Sequence, residues 1–210
     1  MVRPVNMQSL LIATRNLGKV REIESILSDV GWSFSSLQAF TDIDTPEESG
    51  ATYADNAILK ARFYALATGM CSLADDSGLE VEALAGAPGV FSARYAGNDA
   101  SDADRRALLL SELARTPNQN RRARFVSVVA ISDAKGAVLN ASEGICEGTI
   151  ISSPRGDSGF GYDPLFVPDG YTQTFAELSD DIKNRISHRA LALIKTRAFL
   201  SLLDHLQPDS

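Results

Sequence analysis

The apolar positions of the chain switch between two periods. SLLIAT, Ser9 to Thr14, is a short continuous apolar run of the kind a buried strand shows. Val20, Ile23, Ile26, Leu27 and Val30 then recur at helical spacing, and Gly31 suits the C-terminal stop. Together they predict a strand–loop–helix unit in which RNLGK, with its glycine, forms the loop. LQAFTDIDTPEESG has no clear period and is rich in acids and turn formers, so it predicts a loop with at most a short strand. A helix is predicted over TYADNAILKARFYALATG. Thr52 and Asp55 there have capping-box spacing, with Asp for the usual Glu, and Gly69 can end the helix. MCSLA predicts a second short buried strand with Asp75 and Asp76 at its exit.

The second half follows the same logic. DASDADRRALLLSELA predicts a helix. RARFVSVVAIS alternates as a strand does, DAKGA is a turn, and VLNASEGICEGTI is the hairpin partner. SSPRGDSGFGYDPLFVPDGY predicts a long Gly/Pro loop, and loops of that length in compact domains tend to be functional. SHRALALIKTRAFLSLLDHL closes the pattern as a helix with Ser187 as its N-cap. Helices and strands are interspersed without a repeat, a low-complexity segment or a linker, which predicts an α/β fold and one domain over 1–210.

Composition narrows the function classes. The 210 residues are 44% hydrophobic and 22% charged, ordinary for a soluble globular enzyme and against disorder. The formal net charge of -7 counts against a protein that grips nucleic acid through its phosphates, though a small anionic ligand needs only a local basic cluster. Cys71 and Cys146 lie far apart and have no metal-ligand spacing. A single disulfide is open to them; reduced packing residues of a cytoplasmic protein are the simpler expectation. The N-terminal apolar run, Leu10 to Ala13, is too short for a signal-peptide core, and no stretch approaches the ~18 apolar residues of a membrane span. A soluble, cytoplasmic protein is expected.

Five segments carry candidate chemistry, each beside a plainer reading. ATRNLGK, Ala13 to Lys19, places short polar residues, a glycine and a lysine between strand and helix, where backbone N–H groups and the helix terminus favour an anion. It is not a Walker loop, because the first glycine is missing and Val20 follows the lysine; an ordinary turn with a solvated lysine competes. PEESG supplies Glu47 and Glu48 just before a helix, where decoration of the helix dipole is the plainer reading. Asn56 and Lys60, spaced i, i+4, form either a donor face or the wet side of their helix. Asp75 and Asp76 lie where open α/β sheets place ligands, and a hard cation such as Mg²⁺ needs only one or two carboxylates; solvated turn acids are the alternative. SGFGYDP sets Phe160 and Tyr162 among glycines, to stack on a flat ligand or to plug a tight loop. KNRISHR gathers Lys183, Arg185, His188 and Arg189 as a binding or merely solvated basic face; His205, in the last turn, is given no role.

Taken in order, ATRNLGKVREI, EESGATYADNAILKA, ADDSGLEVEALAGAPGVFSARYAG, GFGYDPLF and ISHRALAL closely resemble the Ham1-like inosine triphosphate pyrophosphatases, from about Leu11 to the final helix. Arg15 departs from the pattern, since relatives often carry a small residue there. The resemblance implies a long, twisted mixed sheet flanked by helices, in two lobes with the site in their cleft. It implies a Mg²⁺-dependent homodimer that splits inosine, deoxyinosine and xanthosine triphosphates into monophosphate and pyrophosphate. Carried over, Thr14, Arg15, Asn16, Leu17, Gly18, Lys19 and Lys60 would hold phosphates. Glu47 and Asp76 would hold Mg²⁺, and Asp76 would also activate water, with Asp75 a rival for either role. Ser77 would contact substrate, while Phe160, Gly161, Tyr162, Asp163, Lys183, His188 and Arg189 would bind the purine. Three rivals stay open: the same chemistry on another modified nucleotide, a nucleotide-binding module without turnover, and a phosphomonoesterase with an aspartyl nucleophile.

Overall fold

Alternation and helical spacing become strands and helices largely where they occur in the chain. The computed structural model describes residues 8–117 and 120–206. Among them six strands, β1 (Gln8–Ile12), β2 (Trp32–Ser36), β3 (Cys71–Val81), β4 (Arg122–Ser132), β5 (Val138–Ile150) and β6 (Phe166–Pro168), form one sheet in the order β2-β1-β3-β4-β5-β6. Among the described residues five helices accompany it: α1 (Leu17–Ile26), α2 (Tyr53–Thr68), α3 (Asp102–Arg115), α4 (Asp180–Ile186) and α5 (His188–Leu206). The sheet is mixed. β1 runs parallel to β2 and β3, with Ile12 opposite Ser36 and Leu73, whereas β5 and β6 are antiparallel. β4 and β5 close a hairpin through Asp133, whose N–H donates to Ala137 O at 2.9 Å.

Two compact units divide the chain. The first takes residues up to Asp75, Val128–Ser142 and the segment from Ala192 on; the second takes Asp76–Ser127 and Glu143–Leu191. In the first, β1 is apolar and fully buried at Leu10, Leu11 and Ile12, and α1 buries Val20, Ile23 and Ile26, one helical stripe. The second has its own core, in which Leu79, Val81, Leu109, Leu113, Phe125, Phe166 and Phe175 pack with Tyr162. Phe125 meets Phe166 edge-on, with centroids 4.8 Å apart.

The predicted capping box of α2 is present: Thr52 Oγ1 accepts from the Asp55 N–H, and Asp55 accepts in return from Thr52 N. Gly69 ends that helix at φ 67°, a left-handed conformation that suits glycine. β4 and β5 have the predicted bounds. Ser187 caps α5, its Oγ accepting from Ala190 N at 3.1 Å.

Four expectations need correction. Gly18 lies inside the first turn of α1, because Asn16 caps the helix earlier than the apolar spacing suggests. β3 does not stop at Ala74 but runs through Asp75 and Asp76 to Val81, so the acids sit in mid-strand; flanked by β1 and β4, it is buried along nearly its whole length. The expected long loop after β5 contains a 3₁₀ turn, Asp163–Leu165, and the short β6. KNRISHR is no single face: it spans the end of α4 and the start of α5. Both cysteines are free thiols; burial pushes Cys71 up to about 11 and Cys146 up to about 12. Among the described residues no helix is long and apolar enough to cross a membrane. Residues 1–7 of the N-terminal segment and the side chain of His205 lie outside the described residues.

Candidate active site

In the first unit the predicted phosphate loop is largely organised by its own side chains. Asn16 Oδ1 accepts from the N–H groups of Gly18, at 2.8 Å, and Lys19, at 3.2 Å, and Asn16 N donates to Thr14 Oγ1 at 3.2 Å. The amides expected to cradle phosphate are therefore partly engaged in capping α1. Arg15 points outward, as its departure from the family pattern allows, and donates to Ile43 O at 2.6 Å; Leu17 is exposed. The inward-facing charge of the loop is Lys19, whose Nζ lies 2.6 Å from Asp75 Oδ2, and the Asp75 side chain is wholly buried.

α2 supplies a second ammonium. Tyr53, Asn56, Ala57, Lys60, Ala61 and Tyr64 form its buried stripe, so Asn56 and Lys60 lie on the inner face, not the wet side. Lys60 Nζ meets Glu48 Oε1 at 2.8 Å. Asn56 Oδ1 accepts from Gly50 N at 2.8 Å, and a Cβ on Gly50 would fall 2.6 Å from that same oxygen. The segment before α2 is thus fixed by its glycine and a buried amide, which leaves Glu47 exposed and Glu48 turned to the lysine.

Successive side chains of a strand face opposite ways. Asp75, held by Lys19, and Asp76, also buried, therefore point to opposite faces of β3. This separates two acids that the sequence leaves equivalent. Ser77 follows, and its Oγ accepts from Arg189 Nη2 at 2.9 Å.

In the second unit, Asp163 and Lys183 form a buried ion pair, Nζ to Oδ2 2.7 Å, and the same oxygen accepts from Phe160 N at 2.9 Å. The Phe160 ring has Lys183 Nζ 4.9 Å and the Arg189 guanidinium carbon 5.5 Å from its centroid. His188 stacks on Phe125, with centroids 4.5 Å apart and planes at 11°. Gly159 is required where it stands: its φ is 76°, and a Cβ there would come within 2.2 Å of Asp163 Oδ2. The two aromatics of SGFGYDP have different fates. Tyr162 is the plug, packed in the core with its hydroxyl donating to Ser92 O at 3.1 Å; burial pushes its phenol upward. Phe160 is only half-buried.

Lys183, Arg189, Phe160, Asp163 and Ser77 thus come together, as the sequence expects, and His188 lies beside them on Phe125. Phe125 itself gives no chemical signal in the sequence; only its place in the alternation of β4 marks it as inward-facing. Asp102 and Arg106, which bond Gly161, are separated from it by 59 and 55 residues, beyond the reach of any local pattern.

The fold and these groupings define an α/β protein in which one unit carries carboxylate-held ammoniums, chemistry suited to an anion, and the other carries a half-buried aromatic ring beneath two cations, chemistry suited to a flat ring. The Ham1 family model matches residues 10–199, and the chain belongs to that family. It is similar to the dITP/XTP pyrophosphatase of Desulforamulus reducens, 50% identical over 92% of this chain and 96% of that protein. It is also similar to that of Thermus thermophilus, 47% identical over 88% of this chain and 87% of that protein. Among solved structures, a HAM1 protein from Coxiella burnetii matches with a TM-score of 0.85 at 41% identity, over 93% of this chain and all of that one. The Staphylococcus aureus Ham1 protein matches with a TM-score of 0.80 at 38% identity, over 93% of this chain and 100% of that one.

Proposed function

We propose that the chain is a nucleoside triphosphate pyrophosphohydrolase that converts inosine, deoxyinosine and xanthosine triphosphates to the monophosphate and pyrophosphate. The observation that carries the reading is the Asp75–Asp76–Ser77 tripeptide: its first residue is bonded to Lys19, its third to Arg189. The relatives' names, dITP/XTP pyrophosphatase, support the substrate class.

The donor set fits Mg²⁺. Glu47 and Asp76 are hard oxygen ligands, and no group of three or more metal-ligating side chains occurs among the described residues. That suits a cation completed by water and substrate phosphates better than one bound in an all-protein cage. Glu47 and Asp76 would hold the ion, which when bound neutralises phosphate oxygens and acidifies water.

The chain's own groups do the rest. Lys19 and Lys60, each held in place by a carboxylate, would balance the charge that builds on the departing pyrophosphate. Asp76 would accept the proton of the attacking water, while Asp75, engaged by Lys19, acts as counter-ion. Phe160 would stack on the purine. Arg189, whose Nη2 donates to Ser77 Oγ, is a donor-only side chain; a purine 6-oxo group would accept from it where an adenine amino group would not. A homodimer in the cytoplasm belongs to the same reading, with light scattering as the check on assembly.

The test is product analysis over a panel of triphosphates with Mg²⁺. Inosine triphosphate should give equimolar inosine monophosphate and pyrophosphate. Release of orthophosphate with accumulation of the diphosphate would overturn the reading.

A further inference from the structure

The first turns of α3 reach the purine loop without belonging to it. Gly161 is gripped on both sides of its residue: its N–H donates to Asp102 Oδ2 at 2.7 Å, and its carbonyl accepts from Arg106 Nη1 at 2.7 Å. Asp102 and Arg106 are spaced i, i+4, so they project from one face of the helix on successive turns. The second oxygen of Asp102 is taken by Arg105 Nη1 at 2.6 Å, which fixes the carboxylate plane. The helix end is itself anchored, because Ser101 and Asp104 form a capping box. Gly161 has φ 59°, a left-handed conformation that glycine adopts without strain, and the two bonds fix its otherwise permissive peptide groups there. One residue earlier, the Phe160 N–H is bonded to Asp163. Three bonds to two adjacent residues thus set where the Phe160 ring lies beneath Lys183 and Arg189.

An acid in the first turn of a helix is ordinarily explained by the helix dipole. That explanation fits Asp102 poorly, because both its oxygens accept from specific partners and one of these is a backbone amide 59 residues away. It also leaves Arg106 unexplained, a guanidinium near a helix N-terminus.

We propose that Asp102 and Arg106 are positioning residues for the nucleobase: a two-pronged clamp on Gly161 that presents Phe160 for stacking, so that α3 governs affinity for the base without touching it. The proposal rests on the nucleotide reading above. It separates the base end of the ligand from the phosphate end, because the clamp acts on the loop that bears Phe160 and not on Lys19 or Lys60.

Steady-state kinetics with Mg²⁺ and inosine triphosphate, joined to product inhibition, test it. Asp102→Ala and Arg106→Ala should raise KM about tenfold, the cost of one charged hydrogen bond, with a much smaller change in kcat. Inhibition by inosine monophosphate, which carries the base, should weaken by a similar factor. Inhibition by pyrophosphate, which lacks it, should stay within about twofold. Arg106→Lys, which keeps a donor, should recover most of the loss. If an alanine variant fails to fold, Arg106→Met keeps the aliphatic stem and makes the same comparison. Unchanged inhibition by inosine monophosphate, or equal weakening of both inhibitors, overturns the clamp. Failure of the functional reading shows separately, as no pyrophosphate release by the unaltered protein.

Discussion

Asp75 and Asp76 are adjacent and chemically identical, yet they face opposite ways along β3, and the proposed reading gives them different work. Asp75 is wholly buried against Lys19, so Asp75→Asn should act mainly on stability: losing one partner of a buried pair costs about 3–5 kcal/mol, and the 17% exposure of Lys19 places it toward the lower end. Asp76→Asn should instead lower kcat by about 10²–10⁴-fold, the range for lost general acid–base help. Thermal melts and inosine triphosphate turnover on both variants check this; a stable, inactive Asp75→Asn beside an active Asp76→Asn would exchange the assignments. The pair was legible in the sequence as a candidate site, but which acid meets Lys19 was not. That contact depends on β1 and β3, which bring together residues that lie far apart in the chain. Asn56 and Lys60 show the converse: i, i+4 spacing fixed their shared face, while their burial depends on Glu48 and Gly50, outside the helix.

Elements were legible where local chemistry and tertiary packing agree. α2, β4 and β5 carry caps or clean alternation and have the expected bounds. β3 was read too short because Asp-Asp-Ser-Gly has turn composition. Pairing in the sheet and the Lys19 ammonium make those residues tolerable in a buried strand. β6 and α4, three and seven residues long, are too short for periodicity to show. The capping box of α3 gives a prediction at this scale. Ser101→Ala should cost about 1 kcal/mol of stability. The Ser101 hydroxyl and backbone N–H hold the Asp104 carboxyl below its ordinary value of 3.8, and Arg122 does the same to Asp169. A lowered folded-state value means a contribution that is present above the ordinary value and lost as pH falls through the lowered one. The stability difference between the unaltered protein and Ser101→Ala should therefore be full at neutral pH and narrow below about pH 4. Urea melts at pH 7 and pH 3 measure it; a gap that widens in acid contradicts the capping role.

For the whole molecule, the chain belongs to the Ham1 family, and the proposed substrate class and residue roles are tested together by base choice. If Arg189 points donors at the purine 6-position, Arg189→Ala should shrink the preference for inosine over adenosine triphosphate by about 5- to 150-fold, the equivalent of one unpaired buried polar group. Phe160→Ala should weaken all purine triphosphates alike, by the roughly 1–3 kcal/mol of a stacked base. Comparative kcat/KM values decide both, and a Phe160→Ala variant that alters the ratio while Arg189→Ala leaves it fixed would reverse the roles. The opposed acids of β3 also constrain how such a chain can diverge. A strand has a two-residue phase, so one inserted residue before Asp75 would turn both acids to the wrong faces at once, whereas the irregular stretch before α2 has no phase to lose. Lineages descending from this sequence are expected to vary in length between Thr41 and Thr45, ahead of the Glu48 and Gly50 contacts with α2, and to keep the Cys71–Val81 strand free of insertions and deletions of odd length.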